Sequence, residues 1–131
     1  PGQKRVASAC ARASNAPSLV SVAPAAAVRQ ALNLMSTWGV SQIPVLENGQ
    51  CVGGLTENIL MTKALATPTL LDRPVREVMD QPFPVVEAST PTDRLAPMFT
   101  RESPAALVQK DGKLIGIVSR YDVLQQLIGT R

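Results

Sequence analysis

Two stretches of the chain, 63 residues apart, share one pattern of apolar and polar positions. Each has an apolar run, a polar two-residue turn and a second apolar run, over residues 43–56 and again over residues 106–119. The turns are Asn48-Gly49 and Asp111-Gly112, which favour positive φ at both central positions of a tight hairpin. The pattern therefore predicts two β-hairpins, each followed by a helix.

The repeat includes the segments on both sides of each hairpin. Residues 21–35 align with residues 85–99 at an offset of 64, and residues 57–65 align with residues 120–128 at an offset of 63. Each copy therefore reads strand, helix, strand, strand, helix. Pro97 lies inside the first predicted helix of the second copy and should kink or shorten it, because proline has no N–H and crowds the preceding turn.

Short helical segments are expected ahead of both copies, at residues 6–10 and 75–79. The predicted divisions are a linker with a helical segment (1–18), a first repeat (19–66), a linker with a second helical segment (67–82) and a second repeat (83–129). A chain that builds one unit twice is expected to form a pseudo-symmetric pair, and such pairs place ligand sites between the halves.

The composition limits the classes of protein to which the chain can belong. With 131 residues, 45% of them hydrophobic, one compact domain with a continuous core is the simplest expectation. No apolar run approaches the roughly 20 residues that span a bilayer, so we predict no membrane partner. The first residues do not resemble a secretory signal, and we expect a fragment of a longer cytoplasmic protein.

Catalysis and nucleic-acid binding are both poorly supported. The chain has no His and no arrangement typical of a nucleophile–base pair, a metal site or a phosphate loop, so it is not expected to be an enzyme. The net charge of +3 is mild, and one Trp, one Tyr and two Phe give few stacking platforms for nucleic acid. Cys51 lies in a predicted strand and is expected to be a buried, reduced thiol of a cytoplasmic protein.

A signature of Gly, two apolar residues, Ser or Thr, two variable residues and Asp closes the second hairpin. The second copy reads Gly116-Ile117-Val118-Ser119-Arg120-Tyr121-Asp122, and the first reads Gly53-Gly54-Leu55-Thr56-Glu57-Asn58-Ile59. The first copy therefore has Ile59 where the acid should be. Together with the repeat, this signature resembles a tandem pair of CBS domains (a Bateman module) over about residues 19–128. The resemblance implies an α/β (α+β) fold in which two pseudo-symmetric β-α-β-β-α repeats pack sheet to sheet.

Three runs are also similar to the C-terminal regulatory region of cystathionine β-synthase. These are residues 40–45, 73–79 and 116–124. Nothing in the chain corresponds to the pyridoxal-phosphate catalytic domain of that enzyme family. This likeness implies a regulatory fragment whose catalytic domain is absent from the chain.

The CBS resemblance implies a regulatory sensor that controls an attached or partner domain. Its effector would be an adenosine derivative, namely AMP, ADP, ATP or S-adenosylmethionine, bound between the two repeats, with no catalytic cofactor. Such modules are expected to form homodimers in the cytoplasm and to bind neither nucleic acid nor membranes. The alternative is a ligand-free dimerisation or assembly module.

Asp122 is the strongest candidate in the predicted site, because one carboxylate can accept hydrogen bonds from both hydroxyls of a ribose. The Ser119 hydroxyl can bind a phosphate or another polar group on the 5′ side, and Arg120 would favour a phosphate if it pointed inward. The resemblance places the adenine slot among apolar or amide-bearing residues: Leu19, Val20, Val40, Gln42, Ile43, Pro44 and Ile117.

The same Ser119-x-x-Asp122 spacing is close to a helix capping box. The first copy keeps Thr56 for capping and lacks the acid, which favours a ribose role for Asp122. For the region around Thr56 a structural role is preferred, because Ile59 cannot accept a ribose hydroxyl, and the sequence leaves open whether this first site binds a ligand. Two aromatic residues have alternatives that the sequence leaves open: Trp38 could stack on adenine or pack at an interface, and Tyr121 could lie at an interface or approach the ligand.

Overall fold

The computed structural model describes residues 5, 19–99 and 104–129, which divide into two compact units. Residues 20–82 form one unit, called here the first unit because it contains the first repeat. The second unit contains residues 83–129 together with Arg5 and Leu19. Both units mix short helices with small sheets, so the predicted α+β class is confirmed.

The first unit has a hairpin between two helices. Its elements are α1 (Val28–Trp38), β1 (Gln42–Glu47), β2 (Gln50–Thr56) and α2 (Glu57–Ala66), followed by short 3₁₀ turns at Pro68–Asp72 and Val75–Glu77. Helix α1 ends at Gly39, whose φ of 63° lets its N–H reach the carbonyl of Met35. The predicted strand ahead of α1 is reduced to one parallel bridge, between Val22 and Val45.

The second unit has a three-stranded sheet and a closing helix. Its elements are β3 (Val85–Glu87), β4 (Ala105–Lys110), β5 (Lys113–Ser119) and α3 (Arg120–Ile128). The strand order is β3-β4-β5, with β3 parallel to β4 and β4 antiparallel to β5. The strand that the alignment predicted at residues 85–88 is therefore confirmed in this copy.

The two hairpins agree closely in backbone geometry. Both turns have positive φ at both central residues, 53° and 79° at Asn48-Gly49 and 52° and 78° at Asp111-Gly112. Each pairing register also shifts once, just after Val45 in β1 and just after Val108 in β4. The hairpin prediction is confirmed in both copies, including the turn chemistry.

The two copies differ in structure at the first predicted helix, which forms in the first copy and not in the second. The disruption expected at Pro97 is confirmed, but the predicted helix over residues 91–99 is wrong, because two 3₁₀ turns, Thr92–Arg94 and Ala96–Met98, stand in its place. Pro97 accounts for the change, since it cannot donate to the carbonyl four residues earlier and its ring crowds that turn. Of the short helical segments, residues 75–79 contain the 3₁₀ turn Val75–Glu77, and residues 6–10 lie outside the described residues.

Each unit has its own buried cluster. In the first unit, Trp38 packs partly buried against a core centred on fully buried side chains such as Met35, Ile43 and Leu55. In the second unit, Val86, Leu95 and Val118 belong to the corresponding cluster. The expectation of a buried thiol is wrong, because Cys51 is only half-buried: it lies next to the Asn48-Gly49 turn, and its Sγ donates to the Gly53 carbonyl at 3.2 Å.

The segment after α2 is bound closely to the first unit. Its residue Asp80 exchanges both backbone hydrogen bonds with Gly54, at 3.0 and 2.9 Å. The Met79 side chain lies so close to Gly53 that an added Cβ would overlap its Sδ and come within 2.7 Å of its Cγ. The absence of a side chain at Gly53 is therefore explained by packing rather than by the approach of a ligand.

Candidate ligand-binding site

Ser119 and Asp122 join the end of β5 to the start of α3. Ser119 is the N-cap, with extended φ and ψ of −107° and 170°, and its Oγ accepts a hydrogen bond from the Asp122 N–H at 3.2 Å. In return, Asp122 Oδ2 accepts from the Ser119 backbone N–H at 2.8 Å and from the Ser119 hydroxyl at 3.0 Å. The capping box that the spacing allowed is therefore formed.

The capping contacts leave half of the carboxylate available. Within the described part of the chain, every hydrogen bond to the Asp122 carboxylate ends on Oδ2. A carboxylate oxygen has two lone pairs, so Oδ1 can accept two further hydroxyl donors. Asp122 is half-buried, and its orientation is fixed by Ser119. Capping and ligand binding by Asp122 are consequently compatible.

Apolar side chains lie beside Ser119 on one face of the β4–β5 sheet. Ser119 lies opposite Ala105, and Ile117 lies opposite Leu107, in the β4–β5 register. Because side chains alternate along a strand, these four side chains share one face, opposite to the face that carries Val118. Ala105 and Leu107 are fully buried, and Ile117 is 6% exposed. Leu19, which the prediction assigned to the adenine slot, is half-buried in the same unit.

Arg120 and Tyr121 point away from the capping contacts. Arg120 is exposed at the first position of α3, and two residues along a helix turn it by about 200° relative to Asp122. Tyr121 is 65% exposed. The predicted contact of Arg120 with a phosphate therefore needs its long side chain to bend back over the helix N-terminus, and it stays a prediction.

The other predicted site residues belong to the first unit. Val20, Val40 and Ile43 are buried in the core of that unit, at 6%, 8% and 0% exposure. Pro44 is buried, and its carbonyl accepts from the Val22 N–H at 3.2 Å. Gln42 is half-buried at the start of β1. Their roles around an adenine remain predictions, and the three core side chains already have apolar neighbours.

The first copy lacks the cap that the second copy has. Thr56 is the N-cap of α2, but its side chain makes no capping hydrogen bond, and its buried Oγ1 has no partner within the described residues. The inference that Thr56 is kept for capping is therefore wrong. Ile59, at the position of the missing acid, cannot bond back to the Thr56 N–H, and it is 39% exposed.

Sequence reasoning missed Ala105 and Leu107 as neighbours of Ser119. The Asp111-Gly112 turn sets the register only next to the turn, where Lys110 pairs with Lys113, and counting on from those pairs would place Ala105 opposite Val118 rather than Ser119. The register shift after Val108 gives no comparable signal in the sequence.

Comparison with models of known protein families identifies the family of this chain. The family model of the CBS domain matches the chain twice, at residues 15–65 and 75–129. The chain belongs to the CBS domain family. The two matches cover both repeats, and CBS domains are typically regulatory. The described residues contain no helix of the length and apolarity that crossing a membrane requires.

Solved structures agree with the fold of a CBS pair. A CBS-domain protein from Burkholderia ambifaria is 26% identical, with a TM-score of 0.80 and coverage of 98% of this chain and 96% of that one. One from Agrobacterium tumefaciens is 21% identical, with a TM-score of 0.79 and coverage of 95% and 99%. A CBS domain pair in complex with 5′-methylthioadenosine and S-adenosyl-L-methionine is 18% identical, with a TM-score of 0.77 and coverage of 98% of both chains.

Proposed function

We propose that this CBS pair is a regulatory sensor of an adenosine derivative, with Asp122 as the ribose acceptor. The observation that carries the proposal is the Asp122 carboxylate, which Ser119 holds through Oδ2 while Oδ1 remains free for a ligand among the described residues. The solved CBS pair that binds 5′-methylthioadenosine and S-adenosylmethionine supports the ligand class. At 18% identity, its likeness to this chain shows a shared fold and no shared ligand contacts.

The polar groups of Ser119, Asp122 and the N-terminus of α3 can bind a nucleoside. Two neighbouring ribose hydroxyls can both donate to Oδ1, and a hydrogen bond to a charged acceptor contributes about 1.5–3 kcal/mol. The N-terminus of α3 favours negative charge on the 5′ side, where a phosphate or carboxylate would lie. Ile117 is the nearest apolar side chain on the strand face of Ser119, and at 6% exposure it can contact a base only at its edge.

Arg120 distinguishes the phosphate-bearing ligands from S-adenosylmethionine. If its guanidinium bends towards the helix N-terminus, Arg120→Ala should weaken AMP, ADP and ATP but leave adenosine unchanged. Equal effects of Arg120→Ala on adenosine and AMP would assign no phosphate contact to this residue. Lys113→Ala, an exposed position in the same unit, is the matched control.

Regulation requires that the ligand bind two arrangements of the protein with different affinity. The domain that reads this difference would be attached to the module or supplied by a partner in the cytoplasm. A pyridoxal-phosphate enzyme of the cystathionine β-synthase type is one such domain, on the likeness of residues 40–45, 73–79 and 116–124 alone. Activity of the full-length protein, titrated with the ligand, measures the coupling.

A second candidate is an assembly module that binds no ligand. Exposed apolar side chains on α2 and α3 favour it, including Leu65 at 78% and Leu127 at 79% exposure. The two candidates differ in their response to ligand, because only a ligand that binds the folded state raises the melting temperature.

A thermal-shift panel tests the proposal. The ligands are adenosine, AMP, ADP, ATP and S-adenosylmethionine, with guanosine and GMP as controls for the base. At a ligand concentration of about 100 times Kd, binding adds about 2.7 kcal/mol to the free energy of unfolding. A shift with at least one adenosine derivative and none with guanosine supports the sensor. No shift with any of the five leaves the assembly module.

A further inference from the structure

Both hairpin turns end in a glycine that follows a side chain with a carbonyl group. The turns Asn48-Gly49 and Asp111-Gly112 are exposed at every residue. A Cβ built at either Gly49 or Gly112 would have no atom within 4 Å, so the space around both glycines is open. The backbone nitrogen of each glycine can therefore be approached by the side chain that precedes it.

The backbone N–H of Gly49 lies outside the hydrogen-bond ladder of its hairpin. The pair nearest to the turn is Glu47 and Gln50, so neither turn residue takes part in the β1–β2 register. Within the described residues, no hydrogen bond is found to the Asn48 side chain or from the Gly49 N–H. Asn48 and Gly49 can therefore rotate without breaking a hydrogen bond, as is typical of exposed loop tips.

We propose that Asn48-Gly49 is a site of spontaneous modification, at which Asn48 is converted to aspartate and isoaspartate. The Gly49 nitrogen, once it has lost its proton, bonds to Cγ of Asn48. The bond from Cγ to the amide nitrogen then breaks, and that nitrogen takes up a proton and leaves as ammonia. Water opens the resulting cyclic succinimide. Hydrolysis of the bond from the Gly49 nitrogen to Cγ gives aspartate, and hydrolysis of its bond to the main-chain carbonyl carbon gives isoaspartate.

The helical asparagines lack the conditions for this reaction. Asn33 in α1 and Asn58 in α2 are the other asparagines of the described residues, and Leu34 and Ile59 follow them. A helix fixes the backbone dihedral angles around each asparagine, and the side chain of the next residue crowds the nitrogen that would attack. Asn33 and Asn58 are therefore internal controls for Asn48.

The second hairpin shows which product fits the turn. Asp111 and Gly112 adopt φ of 52° and 78°, against 53° and 79° at Asn48 and Gly49. An aspartate at position 48 should therefore keep the turn and add only a negative charge. Isoaspartate adds a main-chain carbon to a turn that closes with two residues, so it should disturb the pairing of β1 with β2 and destabilise the first unit.

Asp111-Gly112 can close the same ring with the opposite dependence on pH. At Asn48 the rate should rise with pH, because the Gly49 nitrogen attacks only after it has lost its proton. At Asp111 the rate should fall with pH, because water can leave only from a protonated carboxyl group. The pH therefore distinguishes the two reactions, and neither depends on the adenosine derivative proposed above.

Peptide mapping of the aged chain tests the proposal. Samples held at mildly acidic and mildly alkaline pH are digested at intervals, and mass spectrometry after chromatographic separation of the isomers measures aspartate and isoaspartate. Conversion at Asn48 should be at least about tenfold faster than at Asn33 and Asn58, which corresponds to about 1.4 kcal/mol of activation free energy. It should also be faster at the alkaline pH, whereas isomerisation of Asp111 should be slower there.

Two variants test the effect on the hairpin. Asn48→Gly cannot close the ring and still suits the turn, so its melting temperature should not change on ageing at the alkaline pH. Fresh Asn48→Asp should melt with the fresh starting protein, whereas the aged starting protein should lose stability as isoaspartate accumulates. Conversion at Asn48 that is no faster than at Asn33 and Asn58, or that slows at the alkaline pH, would overturn the proposal. An unchanged melting temperature in protein that has accumulated isoaspartate would overturn the predicted effect on the hairpin.

Discussion

Ser119 donates two hydrogen bonds to one oxygen of Asp122, from its backbone N–H at 2.8 Å and from its hydroxyl at 3.0 Å. The helix start and the candidate ribose acceptor are therefore the same pair of residues. Both of these hydrogen bonds end on Oδ2, so the second carboxylate oxygen of Asp122, Oδ1, can accept from another donor. A ligand that binds there gains an acceptor whose orientation is already fixed, which lowers the entropy cost of binding.

Asp122→Asn should separate the two roles of the carboxylate. Asn can still accept the Ser119 N–H through its carbonyl oxygen, so α3 should keep most of its cap, while the second acceptor becomes a donor. We expect ligand affinity to fall at least tenfold, since a hydrogen bond to a charged group is lost. Isothermal titration calorimetry measures the affinity.

Asp122→Ala provides the comparison for that variant. It removes the carboxylate that accepts from Ser119 but leaves the hydrogen bond from the backbone N–H of residue 122 to Ser119 Oγ, so the free energy of unfolding should fall by about 0.5–1.5 kcal/mol in urea titrations. If both variants bind ligand as tightly as the starting protein, Asp122 is a helix cap and nothing more.

Ile59→Asp should give the first copy the cap that it lacks. Thr56 already has extended N-cap geometry, with φ of −119° and ψ of 140°, and its Oγ1 has no partner within the described residues. We expect Ile59→Asp to be more stable than Ile59→Ala by about 1 kcal/mol, in spite of the higher helix propensity of alanine. Urea unfolding measures both, and a less stable Asp variant would show that Thr56 cannot turn to accept the bond.

Gly53→Ala should destabilise the first unit through Met79. The added Cβ would overlap the Met79 Sδ and lie 3.1 Å from its Cβ, so Met79 must move. Such crowding typically costs about 1–3 kcal/mol of unfolding free energy. A double-mutant cycle with Met79→Ala measures the coupling, and we expect the glycine substitution to cost much less when Met79 is truncated. An equal cost in both backgrounds would place the strain elsewhere.

Thr92→Val should stabilise the second unit. Thr92 is 9% exposed, its Oγ1 has no hydrogen-bond partner among the described residues, and Val28 holds the aligned position in the first copy. Removing a buried, unpartnered hydroxyl without changing shape should raise the free energy of unfolding by about 1 kcal/mol and the melting temperature by about 4 °C. Thr69→Val, at an exposed position, should change neither. A loss of stability at Thr92→Val would mean that the hydroxyl is satisfied by buried water.

The hairpins could be predicted from the sequence because their determinants are local. Asn48-Gly49 and Asp111-Gly112 admit the positive φ values that a two-residue turn requires, and the apolar run on each side of the turn predicts the two strands. The cap at Ser119 was predictable for the same reason, since its partner is only three residues away. Residues close together in the sequence therefore determine both the hairpin turns and the Ser119 cap, without contacts from distant parts of the chain.

The predictions that are wrong were transferred from one copy of the repeat to the other, at positions where the two copies differ in local residues or in packing. Alignment with Val28–Trp38 predicts a helix that Pro97 kinks or shortens, whereas residues 92–98 form two 3₁₀ turns, because an interior proline costs more free energy than the repeat pattern can offset. Thr56 was assigned a cap by analogy with Ser119, yet its hydroxyl is buried without a partner. Side-chain rotamers and tertiary burial decide such contacts, and residue type alone does not carry that information.

The most direct test of the proposed function pairs the ribose hydroxyls with Asp122. Calorimetry would compare the tightest-binding ligand of the thermal-shift panel with its 2′,3′-dideoxy analogue, each against the starting protein and Asp122→Asn. We predict that loss of the hydroxyls weakens binding at least tenfold in the starting protein and much less in Asp122→Asn, a coupling of about 1.4 kcal/mol or more. Equal discrimination by both proteins, or no binding of any adenosine derivative, would contradict the assignment of Asp122 as the ribose acceptor.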